Sequence, residues 1–80
     1  VRGKEINGQK FKEDTRIENL SVTGGYLHLS REVQQGAGLF VVIWLSGSAG
    51  LALRGIVQRV QALPNGKWGV SIMIKRYRLF

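Results

Sequence analysis

Eleven glycines and one proline divide 80 residues into short segments, and most of those segments alternate apolar with polar side chains. A period of two belongs to β-strands, and no stretch sustains the 3.6-residue period of a helix. Val1 to Ile6 alternates weakly and ends at Asn7-Gly8, a strong hairpin signal. Lys10 to Asn19 follows as a second strand, with Phe11, Thr15 and Ile17 on one face. Gly24-Gly25 breaks the chain. Gly25 to Ser30 then alternates cleanly, Leu27 and Leu29 against Tyr26 and His28. Arg31 to Gly36 reads as a polar connector with at most one helical turn.

Leu39 to Leu45 (LFVVIWL) is continuously apolar, as expected of a strand buried on both faces or covered by something else. Gly47 to Gly50 is a turn, and Leu51 to Leu63 is a long strand with a bulge or bend at Gly55. Pro64-Asn65-Gly66 is a tight turn before Lys67 to Lys75, which places Trp68, Val70, Ile72 and Ile74 on one side. Six hairpin-linked strands leave open edges unless the sheet closes. The expected fold is therefore all-β, a small six-stranded antiparallel barrel forming one domain over residues 1–80. A start at Val1 rather than Met suggests an excised or truncated piece.

The residue types exclude much chemistry. There is no Cys and a single His, His28, so disulfides, Cys-based zinc sites and His-cluster metal sites are ruled out. No base–nucleophile pair stands out, and Glu13 and Asp14, being adjacent, face opposite sides of a strand. An enzyme is not expected, nor is a cofactor. No apolar run approaches the ~20 residues that span a bilayer as a helix, and there is no signal-peptide pattern.

Charge is lopsided. All five acids lie in the first 32 residues, which net +1, whereas the rest carries six bases and no acid, within a total of +7. Such a field favours anionic partners.

The segment richest in ligand chemistry is Glu18 to Gly25, ENLSVTGG. Asn19, Ser21 and Gly24 form Asn-x-Ser-x-x-Gly at a strand end. An Asn amide matches a base edge, a Ser hydroxyl donates to phosphate or base, and Gly permits positive φ and close backbone approach. A strand ending in an Asx or Ser turn would show the same letters.

Asn-x-Ser-x-x-Gly followed by Gly-Tyr-Leu-His-Leu resembles the second signature of PilZ domains. Val1 to Phe11 is similar to that family's first hairpin, and Thr15 to Asn19 fits the strand entering the motif. Arg54 to Val60 resembles its later Gly-x-Val strand, and Trp68 to Ile72 its closing Gly-Val-x-Phe strand, with Ile72 in place of Phe. The resemblance implies a six-stranded barrel that receives cyclic di-GMP, in a bacterial cytoplasmic signalling protein. It implies ligand contacts at Asn19, Ser21 and Gly24.

The family's Arg-x-x-x-Arg loop, just before the first strand, has no counterpart here, because Arg2 would need a partner upstream of Val1. The C-terminal helix often present in the family is absent from these 80 residues. Cyclic di-GMP binding by this fragment is therefore expected to be weak or absent. Arg16, Tyr26 and His28 are read as surface residues, and Trp44 and Trp68 as barrel core or cover. The second reading is a ligand-free adaptor that binds a protein partner or an attached effector domain. RNA binding is disfavoured, since Phe11, Phe40 and Trp44 fall in apolar stretches rather than between basic residues on an exposed face. Apolar surface around LFVVIWL is expected to drive self-association.

Overall fold

The computed structural model describes residues 1–45 and 47–80. Among them are seven strands: β1 (Arg2–Lys4), β2 (Lys10–Lys12), β3 (Ile17–Leu20), β4 (Gly24–Leu29), β5 (Gly38–Trp44), β6 (Gly50–Ala62) and β7 (Trp68–Leu79). They form one antiparallel sheet in the order β2-β1-β5-β6-β7-β4-β3. The described residues contain no helix, so the all-β expectation holds. The six-stranded closed barrel does not. The expected strand over Lys10 to Asn19 splits into β2 and β3, and no ladder joins those two strands.

The split has a physical cause. Residues 13–16 are Glu13, Asp14, Thr15 and Arg16, and the side chains of Glu13 and Thr15 bond elsewhere than in a ladder. The Ser30 N–H donates to the Glu13 carboxylate at 3.2 and 2.9 Å, and the Ser30 hydroxyl donates to it at 2.9 Å. Thr15 Oγ1 donates to the His28 carbonyl at 2.7 Å, while the Glu13 N–H donates to the Val1 carbonyl at 2.9 Å. The link thus runs from the end of the β1–β2 pairing, which Val1 and Glu13 continue by one backbone pair, to the end of β4 by side-chain bonds.

This link also bends the sheet. Edge strands β2 and β3 are consecutive in the chain, and five residue steps reach at most ~17 Å. A flat sheet would separate its outer strands by about six spacings of ~4.8 Å, or ~29 Å. The sheet must therefore curl, and the molecule's extents of 33 × 23 × 22 Å contain no thin dimension.

The concave side holds the core. Leu27 and Leu29 of β4, Leu39 and Val41 of β5, Leu53 and Val57 of β6, and Val70 and Ile72 of β7 are buried, with Phe11 of β2 beside them. Val33 closes one end from the connector between β4 and β5. The sequence periodicity grouped Phe11, Leu27, Leu29, Val70 and Ile72 on common strand faces, and left Val33, Leu53 and Val57 unassigned. It misread LFVVIWL: Leu39 and Val41 are buried, but Phe40, Val42 and Trp44 take the other face, and Trp44 is 69% exposed. Trp44 is therefore neither core nor cover, whereas Trp68 packs against the core. Gly24 and Gly25 also prove to lie inside β4 rather than breaking it.

The turn readings at Asn7-Gly8 and Pro64-Asn65-Gly66 hold, with Gly8 at φ 87° and Gly66 at φ 80°. Both follow an Asn whose Oδ1 accepts the N–H two residues on, from Gln9 at 2.9 Å and Lys67 at 3.0 Å. The expected irregularity at Gly55 is also present: the β6–β7 register shifts between Arg54 and Gly55, with Lys75 the extra residue on β7. No helix of the structure is long and apolar enough to cross a membrane.

Urea denaturation checks this core and its closure. Leu27→Ala should cost about 2–5 kcal/mol, a large share of the ~4–12 kcal/mol expected of an 80-residue domain. Glu13→Ala should cost about 0.5–1.5 kcal/mol by removing the carboxylate's bonds to the exposed Ser30. Exposed Val22→Ala should stay within about 0.5 kcal/mol.

Candidate functional site

The Asn-x-Ser-x-x-Gly segment forms the β3–β4 hairpin. The Ser21 N–H donates to the Gly24 carbonyl at 2.8 Å. The Ser21 hydroxyl donates to the same carbonyl at 3.3 Å and accepts from the Gly24 N–H at 3.3 Å. The serine is thus engaged in turn chemistry. Asn19 stands opposite Tyr26 in the ladder, and among the described residues its amide has no side-chain hydrogen-bond partner.

Gly24 is required for close approach alone. Its φ is not positive, contrary to one of its two expected uses. A Cβ there would sit 3.0 Å from the Ile72 carbonyl oxygen on β7. Any larger residue would push β4 and β7 apart.

The fold brings the three motif residues together. Asn19, Ser21 and Gly24 line a depression of about 270 Å³, with Tyr26, Gln58 and Ser71 on its other sides. Its floor follows one cross-strand row on the convex face: Asn19, Tyr26, Ser71 and, at the rim, exposed Arg59. The row is flanked by two bulges. Glu18 is the extra residue on β3 opposite Tyr26 and Leu27, and Gln58 is the extra residue on β6 opposite Ser71 and Ile72. Bulges re-aim side chains and recur beside binding sites. Here one turns Gln58 into the depression.

The neighbours are held in place. Tyr26 lies across Gly69, filling the space a side chain would take there. Its ring meets the His28 ring edge-on at 5.3 Å between centroids. His28 Nδ1 lies 3.6 Å from Glu18 Oε1. Tyr26 therefore lines the depression, while His28 supports it from outside. Arg16 lies away from it, along a separate groove with Lys12, Asp14 and Thr15.

Sequence reasoning found three of the lining residues and missed Gln58, Ser71 and the nearby Arg59. Only the β6–β7 register brings these to the motif. The Gly55-Ile56-Val57-Gln58 run carries no local sign of the bulge at 58. The site offers an unengaged amide at Asn19, hydroxyls at Ser71 and Tyr26, an amide at Gln58 and a guanidinium at Arg59. That set suits a planar, hydrogen-bonding ligand with an anionic portion. No family model, curated protein or solved structure matches this chain.

The hairpin's role in stability is measurable by urea denaturation. Gly24→Ala should cost about 1–3 kcal/mol through the clash with the Ile72 carbonyl. Ser21→Ala should cost about 0.5–1.5 kcal/mol through the lost turn bonds. Unchanged midpoints for both variants would contradict this account of the turn.

Proposed function

We propose that this chain is a PilZ-like domain and a sensor module for cyclic di-GMP, relaying ligand occupancy to an attached domain or partner. The observation that carries the reading is the convergence of Asn19, Ser21 and Gly24 on one depression with Tyr26, Gln58 and Ser71. In this reading the Asn19 amide pairs with a guanine edge, and the hydroxyl and amide groups around it receive the base and the adjoining phosphate. At about 270 Å³ the depression falls below the ~300–1,000 Å³ typical of sites that enclose a drug-sized ligand. It has room for one base and the phosphate beside it. The remainder of a dinucleotide requires further groups, and an Arg-x-x-x-Arg segment is the kind that pairs bidentately with phosphate and stacks on bases.

One observation favours the ligand-free adaptor instead. The Ser21 hydroxyl is already bonded to Gly24, so the motif has a structural use that needs no ligand.

Calorimetric titration separates the two. Cyclic di-GMP should bind the 80 residues weakly or not at all. Joined to a preceding Arg-x-x-x-Arg segment, the domain should bind about two to four decades more tightly, since two charge-assisted interactions at ~1.5–3 kcal/mol each are restored. Asn19→Ala in that protein should weaken binding about threefold to tenfold, the worth of one neutral hydrogen bond. Absence of binding in the arginine-bearing protein would favour the adaptor.

A further inference from the structure

The geometry points to a second binding surface, independent of the Asn19 depression: the convex face of β1, β5, β6 and β7 binds single-stranded nucleic acid. Strand register places Lys12, Arg2, Phe40, Arg54 and Arg76 in one continuous cross-strand row. Phe40 is the aromatic centre of that row. The Arg2 guanidinium carbon lies 4.7 Å from its ring centroid and that of Arg54 lies 5.2 Å away. Contact with the ring fixes two planar, permanently charged groups on the surface before any ligand arrives.

The next rows continue the pattern. Val42, Ala52 and Arg78 lie side by side, then Trp44, Gly50 and Phe80. Trp44 and Phe80 meet edge-on at 5.7 Å, with 69% and 55% of their surfaces exposed. From Phe40 to Trp44 is four strand steps, ~13 Å. That length suits the two or three bases that stack on an RNA-binding β-sheet.

Charge complementarity specifies the occupant. A groove of about 710 Å³ along the row is lined by Arg2, Lys4, Lys10, Arg54, Lys75 and Arg76, and by no carboxylate. An adjoining groove of about 540 Å³ adds Arg78, Tyr77 and Phe80 with no Asp or Glu, and a third, beside Arg2, Phe40 and Trp44, holds Lys12 and Arg16 against a single acid, Asp14. The ion pairs among the described residues engage His28 and Arg31 and none of these cations. An acidic protein surface would satisfy the charge, but it has no use for exposed rings interleaved with it. Single-stranded nucleic acid uses both, phosphates on the cations and bases on the rings. The aromatic residues seemed misplaced for this role in the sequence because LFVVIWL is unbroken. Strand alternation turns Phe40, Val42 and Trp44 to the side that carries the arginines.

Fluorescence anisotropy with labelled twelve-nucleotide U and dT oligomers, at 50 to 200 mM salt, tests the inference on the chain as it stands. Binding should weaken with salt at a log–log slope near −3, about −0.7 for each of four phosphate contacts. Arg54→Gln should make that slope shallower by about 0.7. Trp44→Ala should weaken binding about fivefold or more, as loss of a stacking platform does. Lys67→Gln, which removes the same charge from the distant β6–β7 turn, should change affinity less than twofold. No binding at 50 mM salt would overturn the proposal. Equal effects of Arg54→Gln and Lys67→Gln would reduce it to diffuse attraction. Equal or tighter binding of a polyglutamate peptide of the same charge would assign the face to an acidic protein instead.

Discussion

The four-residue link between β2 and β3 governs the rest of this molecule. It joins the two edge strands of a seven-stranded sheet, and its short reach forces the sheet to curl into a trough deep enough to hold a core. The bonds that anchor the link are polar and local: the Glu13 carboxylate on Ser30, Thr15 on the His28 carbonyl, and the Glu13 N–H on the Val1 carbonyl. Arg31 reinforces them, 3.9 Å from Glu13 and 5.2 Å above the Phe11 ring. A ladder between β2 and β3 would close the edges more regularly. The side-chain bridge achieves much of the same protection without one, since charged and hydroxyl-bearing residues at an edge are poor templates for another strand.

Curvature then sorts the side chains. Residues at the centre of the concave side are almost all Leu, Val and Ile and are buried, those toward its ends, such as Tyr77 and Leu79, are exposed, and most polar and basic residues are driven to the convex side. The bulges at Glu18, Gln58 and Lys75 relieve the bend where long strands must follow it. They also decide which rows exist. If residue 58 took an ordinary place in the ladder instead of bulging, the parity of β6 beyond Val57 would invert, and Val60 would leave the core side for the convex face. If Lys75 took an ordinary place in the ladder instead of bulging, it would stand beside Arg54 in place of Arg76. The surface rows are thus consequences of the same irregularities that let the sheet curl.

Much of this was legible in the sequence, and the failures have definite causes. Clean alternation in Gly25 to Ser30 and Lys67 to Lys75 put Leu27 with Leu29, and Val70 with Ile72, on one face of their strands, the faces that prove buried, because a half-buried strand leaves a period of two in the letters. Asn7-Gly8 and Asn65-Gly66 were legible because the turns require positive φ. LFVVIWL was not, since an unbroken apolar run erases the alternation that would show its faces. The break in Lys10 to Asn19 was not, since its cause is a bond from Glu13 to a residue 17 positions away. Asn19, Ser21 and Gly24 were found as a local motif, whereas Gln58 and Ser71 join them only through pairing of β6, β7 and β4.

The charge asymmetry acquires a structural meaning once the acids are placed. Glu13 is committed to the link and Glu18 faces His28, so these carboxylates serve the β2–β4 side of the molecule. The acid-free half of the chain supplies β5, β6 and β7, the central strands. Their bases face outward in register, because the concave side of those strands is occupied by the core. Like charges directly opposite one another, as Arg54 and Arg76 are, disfavour the sheet. The Phe40 ring offsets part of that cost by contact with Arg54, and by contact with Arg2 it draws a further cation to the same row. A fold seeking only stability would place carboxylates between these residues. Its outer surface instead keeps the repulsion at the centre of the sheet, where an anionic ligand would relieve it.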